Sequence, residues 1–464
     1  MLEQRIAKTP LECWVANKLG QGSSQQLIRE DIEQYQLSKL NETISMAYCG
    51  SPFYRRHLAG IGQKPLATVK ELAHYPFTTA DDLKIQGIKM LCVSQSEISR
   101  VVTLHSSGTT GEAKQSFFTA DDQEQTIDFF QFCMSTLVGA QDRVLILLPG
   151  ERPGSVGDLL RAGIERLGAT AIPHGVVRNI PATLAVMARE QVTSFVGIPL
   201  QALALARYCV KAGNLSVPLK NVLLSTDYVS QAVVRELKQV WHCQVFDHYG
   251  MTEMGLGGGM ECAAHGGYHL RDAELYFEII NPDTGEPVTE GEWGEVVFTT
   301  LTRRGMPLIR YRTGDISRFI PEPCRCGTLL RRLAPITVRV TGTVRIGEQS
   351  WLTMADLDEA LLPLAGIIDF TATVTYNCQQ AILAIWAVAL ELYEGQLKLL
   401  QAALRSVASI CRAEQAGELT IGGQIEQWNE EFLPPVGKRT IKIVGRWHGI
   451  ENSVSGQAWE NSTA

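Results

Sequence analysis

The sequence predicts an α/β protein. A large N-terminal domain of mostly parallel sheets with a β-rich subdomain precedes a small α+β C-terminal domain. Three observations carry this. Between residues 100 and 250, short apolar runs alternate with helical patterns, the texture of crossover units on a parallel sheet. From 274 to 320 the texture changes to β-runs split by turns such as PDTGEP (282–287). Beyond Gly342, helical and strand patterns return. The 464 residues amount to about three domain-sized units at roughly 150 residues each.

Residues 1–90 read as helices and turns. Thr78 or Thr79, before Ala-Asp-Asp, reads as a helix N-cap. The strand candidates are VVTL (101–104), RVLILL (143–148), ATAIP (169–173), TSFVGI (193–198), NVLLS (221–225) and CQVFD (243–247). Helical spacing of apolar residues marks 157–168, 182–191, 200–213 and 231–241. The C-terminal part is expected to hold a helix at 354–363, a strand near 369–376, a buried strand in the apolar run 381–390, and a helix at 394–412. The division is therefore 1–341, 342–449, and a polar 450–464 expected to be a flexible tail.

Composition excludes several function classes. Apolar residues at 45% and charged residues at 20% fit a globular protein and exclude disorder, collagen and a disulfide miniprotein. A net charge of −7 leaves no broad electrostatic footprint for nucleic acid or an anionic membrane. The start lacks a signal-peptide pattern, and the longest apolar run, Ala381 to Leu390, is shorter than the roughly 18 residues of a spanning helix. Eleven scattered cysteines suit reduced thiols. A soluble cytoplasmic protein is the expectation.

The most informative stretch is Leu104-His-Ser-Ser-Gly-Thr-Thr-Gly-Glu-Ala-Lys114, which follows a predicted strand. Its backbone N–H groups and hydroxyls suit phosphate oxygens, and Lys114 adds charge. On local chemistry alone it is either such a cradle or an ordinary turn of small residues. It is not the GxxxxGK[ST] loop, because lysine does not directly follow the second glycine.

SSGTTGEAK resembles the phosphate-binding loop of the adenylate-forming enzymes: acyl- and aryl-CoA synthetases, adenylation domains and luciferases. Asp247-His-Tyr-Gly-Met-Thr-Glu253 is similar to their YGxTE motif, and Tyr311-Arg-Thr-Gly-Asp315 to their YxTGD motif. SPFYRRHL (51–58), YPFTTADDL (75–83) and ECAAHGGYHL resemble the phenylacetate–CoA ligase-like branch. The resemblance covers most of residues 40–340.

It implies ATP, magnesium and CoA as co-substrates and cofactor. Ser106, Ser107, Gly108, Thr109, Thr110, Gly111 and Lys114 would hold the β- and γ-phosphates. Asp247, Tyr249 and Gly250 belong to the nucleotide motif, with Tyr249 stacking on adenine. Thr252 would bond the α-phosphate and Glu253 would ligate magnesium, a hard cation that prefers oxygen. Asp315 would accept from the ribose hydroxyls. Ser225-Thr226-Asp227 lies where the family lines the adenine pocket, although glycine, alanine and glutamate are more usual there.

Cys262, His269, Cys324 and Cys326 form a separate constellation. Four such ligands could make a tetrahedral Cys3His zinc site, structural rather than catalytic. Free thiols in a β-subdomain are the alternative, and His265 is a rival fourth ligand. Some phenylacetate–CoA ligase-like proteins carry zinc in this region, which the resemblance extends to these positions. The other cysteines mostly sit in apolar contexts and read as core residues rather than nucleophiles.

The family's mobile C-terminal domain supplies a lysine for adenylation and then rotates to build the thioester-forming site. Lys438, in Pro-Pro-Val-Gly-Lys-Arg (434–439), is the best match, with Lys442 the runner-up. The hinge departs from the family. Gly342 and Gly347 are present, but Thr343 stands where an arginine is usual and no acid directly follows, leaving Arg345 or Arg339 to replace the arginine.

Phe129, Phe130, Phe132, Met134 and the MGLGGG stretch (254–259) are acyl-pocket candidates, the glycines leaving room for a planar ring. The reading is an ATP-dependent carboxylate–CoA ligase. An aryl or arylacetic acid is the class suggested by analogy. The alternatives are an adenylating enzyme with another acceptor, or a nucleotide- or acyl-CoA-binding protein without turnover. Partners are the acid, ATP and CoA, with neither nucleic acid nor membrane. A homodimer is one assembly open to it.

Overall fold

The computed structural model describes residues 6–21, 27–61, 64–104, 113–213, 216–377, 380–429 and 436–447. The predicted phosphate residues Ser106, Ser107, Gly108, Thr109, Thr110 and Gly111, and the tail 450–464, lie outside them. The chain forms two compact units. The first comprises residues 1–140, 151–169 and 248–335, and the second 141–150, 170–247 and 336–464.

In the second unit, five strand segments run parallel in the spatial order 244–247, 221–224, 194–197, 143–146, 170–173. All five are predicted β-branched or aliphatic runs; the inner strands 143–146, 194–197 and 221–224 are largely buried, because helices cover a parallel sheet, while the edge strand Thr170–Pro173 stays partly exposed. From Arg143–Ile146 the chain steps to one side for Thr170–Pro173 and to the other for Ser194–Gly197. Ligands of such sheets bind outside the carboxyl ends of the strands, near a switch of this kind. Ser225–Asp227 and Asp247 stand at those ends.

The same unit carries a four-stranded sheet in the order Leu419–Gln427, Ala381–Ala389, Ile367–Tyr376, Lys442–Val444. The predicted helix 354–363 is Met354–Leu361, with Thr353 and Asp356 as a capping box. One core joins both sheets: Phe195, Leu203 and Leu237 share it with Leu361, Phe370 and Leu400. Arg207 ties them further, donating to the carbonyls of Leu362 at 2.6 Å, Leu364 at 3.1 Å and Ile367.

In the first unit, Leu275–Ile280, Gly294–Thr300 and Tyr311–Ser317 form the predicted β-rich element as an antiparallel meander. The N-cap is Thr79, whose hydroxyl accepts from Asp82 N–H at 3.2 Å. Thr78 instead donates to Ile309 O at 2.7 Å. The long helix Ala120–Met134 starts at a Thr119–Asp122 capping box. Asp122 also accepts from the N–H groups of Arg304 and Gly305.

Two expectations are corrected. VVTL belongs to Ile98–Leu104, which pairs antiparallel with Lys114–Thr119 rather than joining the parallel sheet. The connection between them is too short for a parallel crossover, which takes about a dozen residues or more. The helix expected over 394–412 divides into Gln396–Ser406 and Ala408–Gln415. Val407 takes φ −74°, ψ 117°, an extended conformation suited to a β-branched residue, and the turn brings Ala413 close to Gly347. The ten described cysteines are all unbridged. Among the described residues, no helix is long and apolar enough to cross a membrane.

Candidate active site and metal centre

The first unit brings three sequence motifs into contact. Lys114, at the start of its strand, forms an ion pair with Glu253. Tyr311 donates to the same carboxylate at 3.4 Å. Tyr249 donates to Asp315 Oδ2 at 3.0 Å. Glu253, Asp315, Tyr249 and Tyr311 are all buried. Tyr249 also stacks on Tyr268, with ring centroids 5.7 Å apart and planes 27° from parallel, so one face of its ring is already covered.

Local chemistry explains the placement. Asp315 lies within a strand, at an irregularity where one residue of Gly294–Thr300, Val296, stands opposite three of its own, Thr313 to Asp315. Such bulges re-aim side chains. Gly314 takes φ 73°, a left-handed conformation that glycine adopts without a Cβ penalty. The Thr313 hydroxyl accepts from Asp315 N–H at 3.0 Å and donates to Val296 O at 2.7 Å. The turn holding Glu253 is fixed by buried arginines. Arg303 donates to Glu253 O at 2.6 Å and lies over Phe118. Burial, opposed by the Asp122 carboxylate, lowers its pKa to about 10. Arg271 reaches the carbonyls of Met254, Gly255 and Gly257 and pairs with Glu274. Sequence reasoning missed both arginines, since a lone arginine carries no motif. A run of carbonyls left by the glycine-rich turn is the only signal that points to them.

Thr252 and Gly250 sit in the same turn and keep part of their surface exposed. Phe129 and Met134 are fully buried. The room expected over the glycine stretch is filled from within: a Cβ at Gly257 would overlap Phe129, and one at Gly258 would lie 2.7 Å from the Met254 sulfur.

In the second unit, Asp227 pairs with Arg439 at 3.0 Å. Thr226 adopts φ 80°, strained for a β-branched residue. Lys438 is exposed, between Gly437 and the nearly buried Arg439 side chain. Lys442 is exposed in an edge strand beside Thr373. Arg345 is engaged locally: it donates to Gly347 O at 3.1 Å and Glu348 O at 2.8 Å, and lies over Trp351 and Trp447.

Cys262, His269, Cys324 and Cys326 are all buried, with their ligand atoms within 4.8 Å of one another. Cys262 Sγ is 3.7 Å from Cys324 Sγ, and His269 Nε2 is 3.4 Å from Cys262 Sγ and 3.6 Å from Cys326 Sγ. A disulfide would need about 2.05 Å. A tetrahedron with metal–sulfur bonds near 2.3 Å has edges of about 3.8 Å, and these three separations lie close to that length. Ala264 N–H donates to Cys262 Sγ. Hydrogen bonds from Cys262 and His269 lower the Cys326 pKa against the effect of burial. Gly267 makes the ligand loop at φ 96°, where a Cβ would strike Leu333 O. His265, the rival, is outside the cluster and bonds Glu261 at 3.3 Å.

The AMP-binding enzyme family model matches residues 71–301. The chain is 32% identical over 326 residues to a phenylacetate–coenzyme A ligase of Thermus thermophilus, covering 68% of this chain and 71% of that relative. It is 31% identical over 318 residues to one from Pseudomonas putida, covering 66% and 70%. In fold it is similar to 2-hydroxyisobutyryl-CoA ligase in the postadenylation state with 2-HIB-AMP, at TM-score 0.76, 19% identity and 91% coverage of each chain. The chain belongs to the phenylacetate–CoA ligase-like branch of the adenylate-forming enzymes.

Proposed function

We propose that the chain is an AMP-forming carboxylate–CoA ligase. A carboxylate oxygen attacks the α-phosphorus of ATP and pyrophosphate leaves. The CoA thiolate then attacks the acyl carbon, and AMP leaves with the bridging oxygen. The observation that carries this reading is that the Lys114–Glu253 pair, the Tyr311–Glu253 bond and the Tyr249–Asp315 bond join the three motifs within one unit. Phosphoryl-type transfer asks mainly for positioning and charge neutralisation, which these side chains suit.

Lys114, with Ser106–Gly111, would neutralise the outer phosphates, Thr252 would bond the α-phosphate, and Asp315 would accept from the ribose. Glu253 offers the oxygen donor that magnesium prefers; when bound, the cation would neutralise phosphate charge. Lys438 would approach the reacting carboxylate. Residues 342–449 would move as the C-terminal domain between the two steps. The Cys3His cluster would hold a structural zinc. An aryl or arylacetic acid is proposed from the relatives' names, and a cytoplasmic location from the unbridged cysteines.

A panel of carboxylic acids, phenylacetate included, tests the reading by acid-dependent exchange of labelled pyrophosphate into ATP, followed by CoA addition. Exchange and then thioester are expected. Exchange without thioester means another acceptor; nucleotide binding without exchange means a binder.

A further inference from the structure

We infer that Arg439 is the positioning residue for Lys438, and that its ion pair with Asp227 is a catch that holds the C-terminal segment in the arrangement serving adenylation. This deepens the proposed function and rests on Lys438 being the adenylation lysine.

The Arg439 side chain is only 8% exposed. Its Nη atoms donate to both oxygens of Asp358, at 2.8 and 2.6 Å. Its Nε donates to Asp227 Oδ2 at 3.0 Å, and its guanidinium lies over the Phe370 ring. Asp369, also buried, is a third carboxylate facing it. Three points of contact fix the planar fork in a way a lysine ammonium cannot reproduce. The Cα of Lys438 lies one peptide unit, about 3.8 Å, from that anchored residue. Fixing Arg439 therefore fixes the base of Lys438 and leaves its stem to reach.

The two acidic partners differ in kind. Asp358, on Met354–Leu361, belongs to the same proposed C-terminal domain as Arg439. Asp227 follows the strand Asn221–Leu224, in the segment assigned to the adenine side. Next to Asp358, Glu359 accepts from Tyr228 Oη at 3.0 Å and Gln231 N–H at 2.8 Å. The loop 227–231 is thus gripped at adjacent points. A rotation of the C-terminal domain would break the Asp227 pair, together with the Glu359 contacts and the Arg207 bonds to Leu362, Leu364 and Ile367, and keep the Asp358 pair. The guanidinium then never becomes an unpaired buried charge, which is the condition for a reversible catch.

The test compares wild type with Arg439→Ala, Arg439→Lys, Asp227→Asn and Lys438→Ala. Two half-reactions are read with phenylacetate and phenylacetyl-adenylate, alongside hydrogen exchange of segment 436–444 in the free protein. For Arg439→Ala and Asp227→Asn, faster amide exchange is expected in that segment. Pyrophosphate exchange should fall about 10- to 100-fold in kcat, the scale of an ångström-level misplacement, with the KM for ATP unchanged. Thioester formation from the preformed adenylate should be retained, and Arg439→Lys should recover part of the loss. Unchanged amide exchange, or equal loss of both half-reactions, overturns the catch. Normal pyrophosphate exchange in Lys438→Ala overturns the lysine assignment and with it the positioning role. Absence of exchange in wild type with every acid overturns the proposed function, and amide exchange still decides the catch.

Discussion

The Tyr249 hydroxyl donates to Asp315 Oδ2 at 3.0 Å, joining residues 66 positions apart in sequence. Each belongs to a different motif, and the bond places both motifs at one buried point. Tyr249→Phe keeps the ring and removes the bond. It should cost about 1–3 kcal/mol, because a buried carboxylate loses a donor, and raise the KM for ATP more than it lowers kcat. Asp315→Ala should abolish ATP-dependent exchange. Denaturant unfolding and exchange kinetics measure the two effects.

Lys114 and Glu253 form the second link. Glu253 is 2% exposed, so Lys114→Met strands a buried carboxylate. Breaking a fully buried pair costs about 3–5 kcal/mol, and the cost here is smaller because Lys114 keeps 21% exposure. Lys114→Met/Glu253→Gln should be less destabilised than Lys114→Met alone. A double-mutant cycle in urea checks this.

Metal analysis of the purified protein should find one zinc per chain. Cys324→Ser/Cys326→Ser should lose it and unfold earlier by several kcal/mol, within the roughly 10–16 kcal/mol apparent for structural zinc. His265→Ala should keep the metal. A metal-free wild type with full stability would contradict the assignment.

Acid should act on His248. Its Nε2 is sealed from solvent although part of the residue is exposed, and burial together with the Arg271 charge lowers its pKa to about 4. The unfolded chain binds the proton near 6.5, so this contribution to stability is present above 6.5 and is lost as pH falls from 6.5 to 4. It amounts to at most about 3 kcal/mol, at 1.36 kcal/mol per pH unit. Asp358 and Asp369 act in the opposite sense. Burial raises both to about 6, so the folded state takes their protons first and their contribution is lost as pH rises through 6. Subtracting the pH–stability curve of His248→Asn from that of wild type isolates the histidine.

The parallel strands were legible because a strand buried on both faces needs an unbroken apolar run, as in RVLILL and NVLLS. Residue type marked the Cys3His cluster but left His265 a rival to His269, and the resemblance, rather than spacing, linked His269 to Cys324 across 55 residues. The antiparallel pairing of VVTL was not, because pairing depends on the length of the following connection rather than on the run itself. Nor was the break at Val407, where the apolar spacing continues but the backbone does not. The glycines at 257 and 258 looked like open space, yet Phe129 and Met254 take it. A sequence shows where a Cβ is missing but not what moves into the gap. Arg439 was visible only as the neighbour of a lysine; its three carboxylates come from positions 227, 358 and 369.

Oxygen transfer from the acid tests the central claim most directly. Phenylacetate labelled with heavy oxygen in its carboxylate is turned over with ATP and CoA, and the products are weighed by mass spectrometry. If a carboxylate oxygen attacks the α-phosphorus, each AMP formed carries one labelled oxygen and pyrophosphate carries none. Label in inorganic phosphate, or thioester formed with unlabelled AMP, would contradict the account.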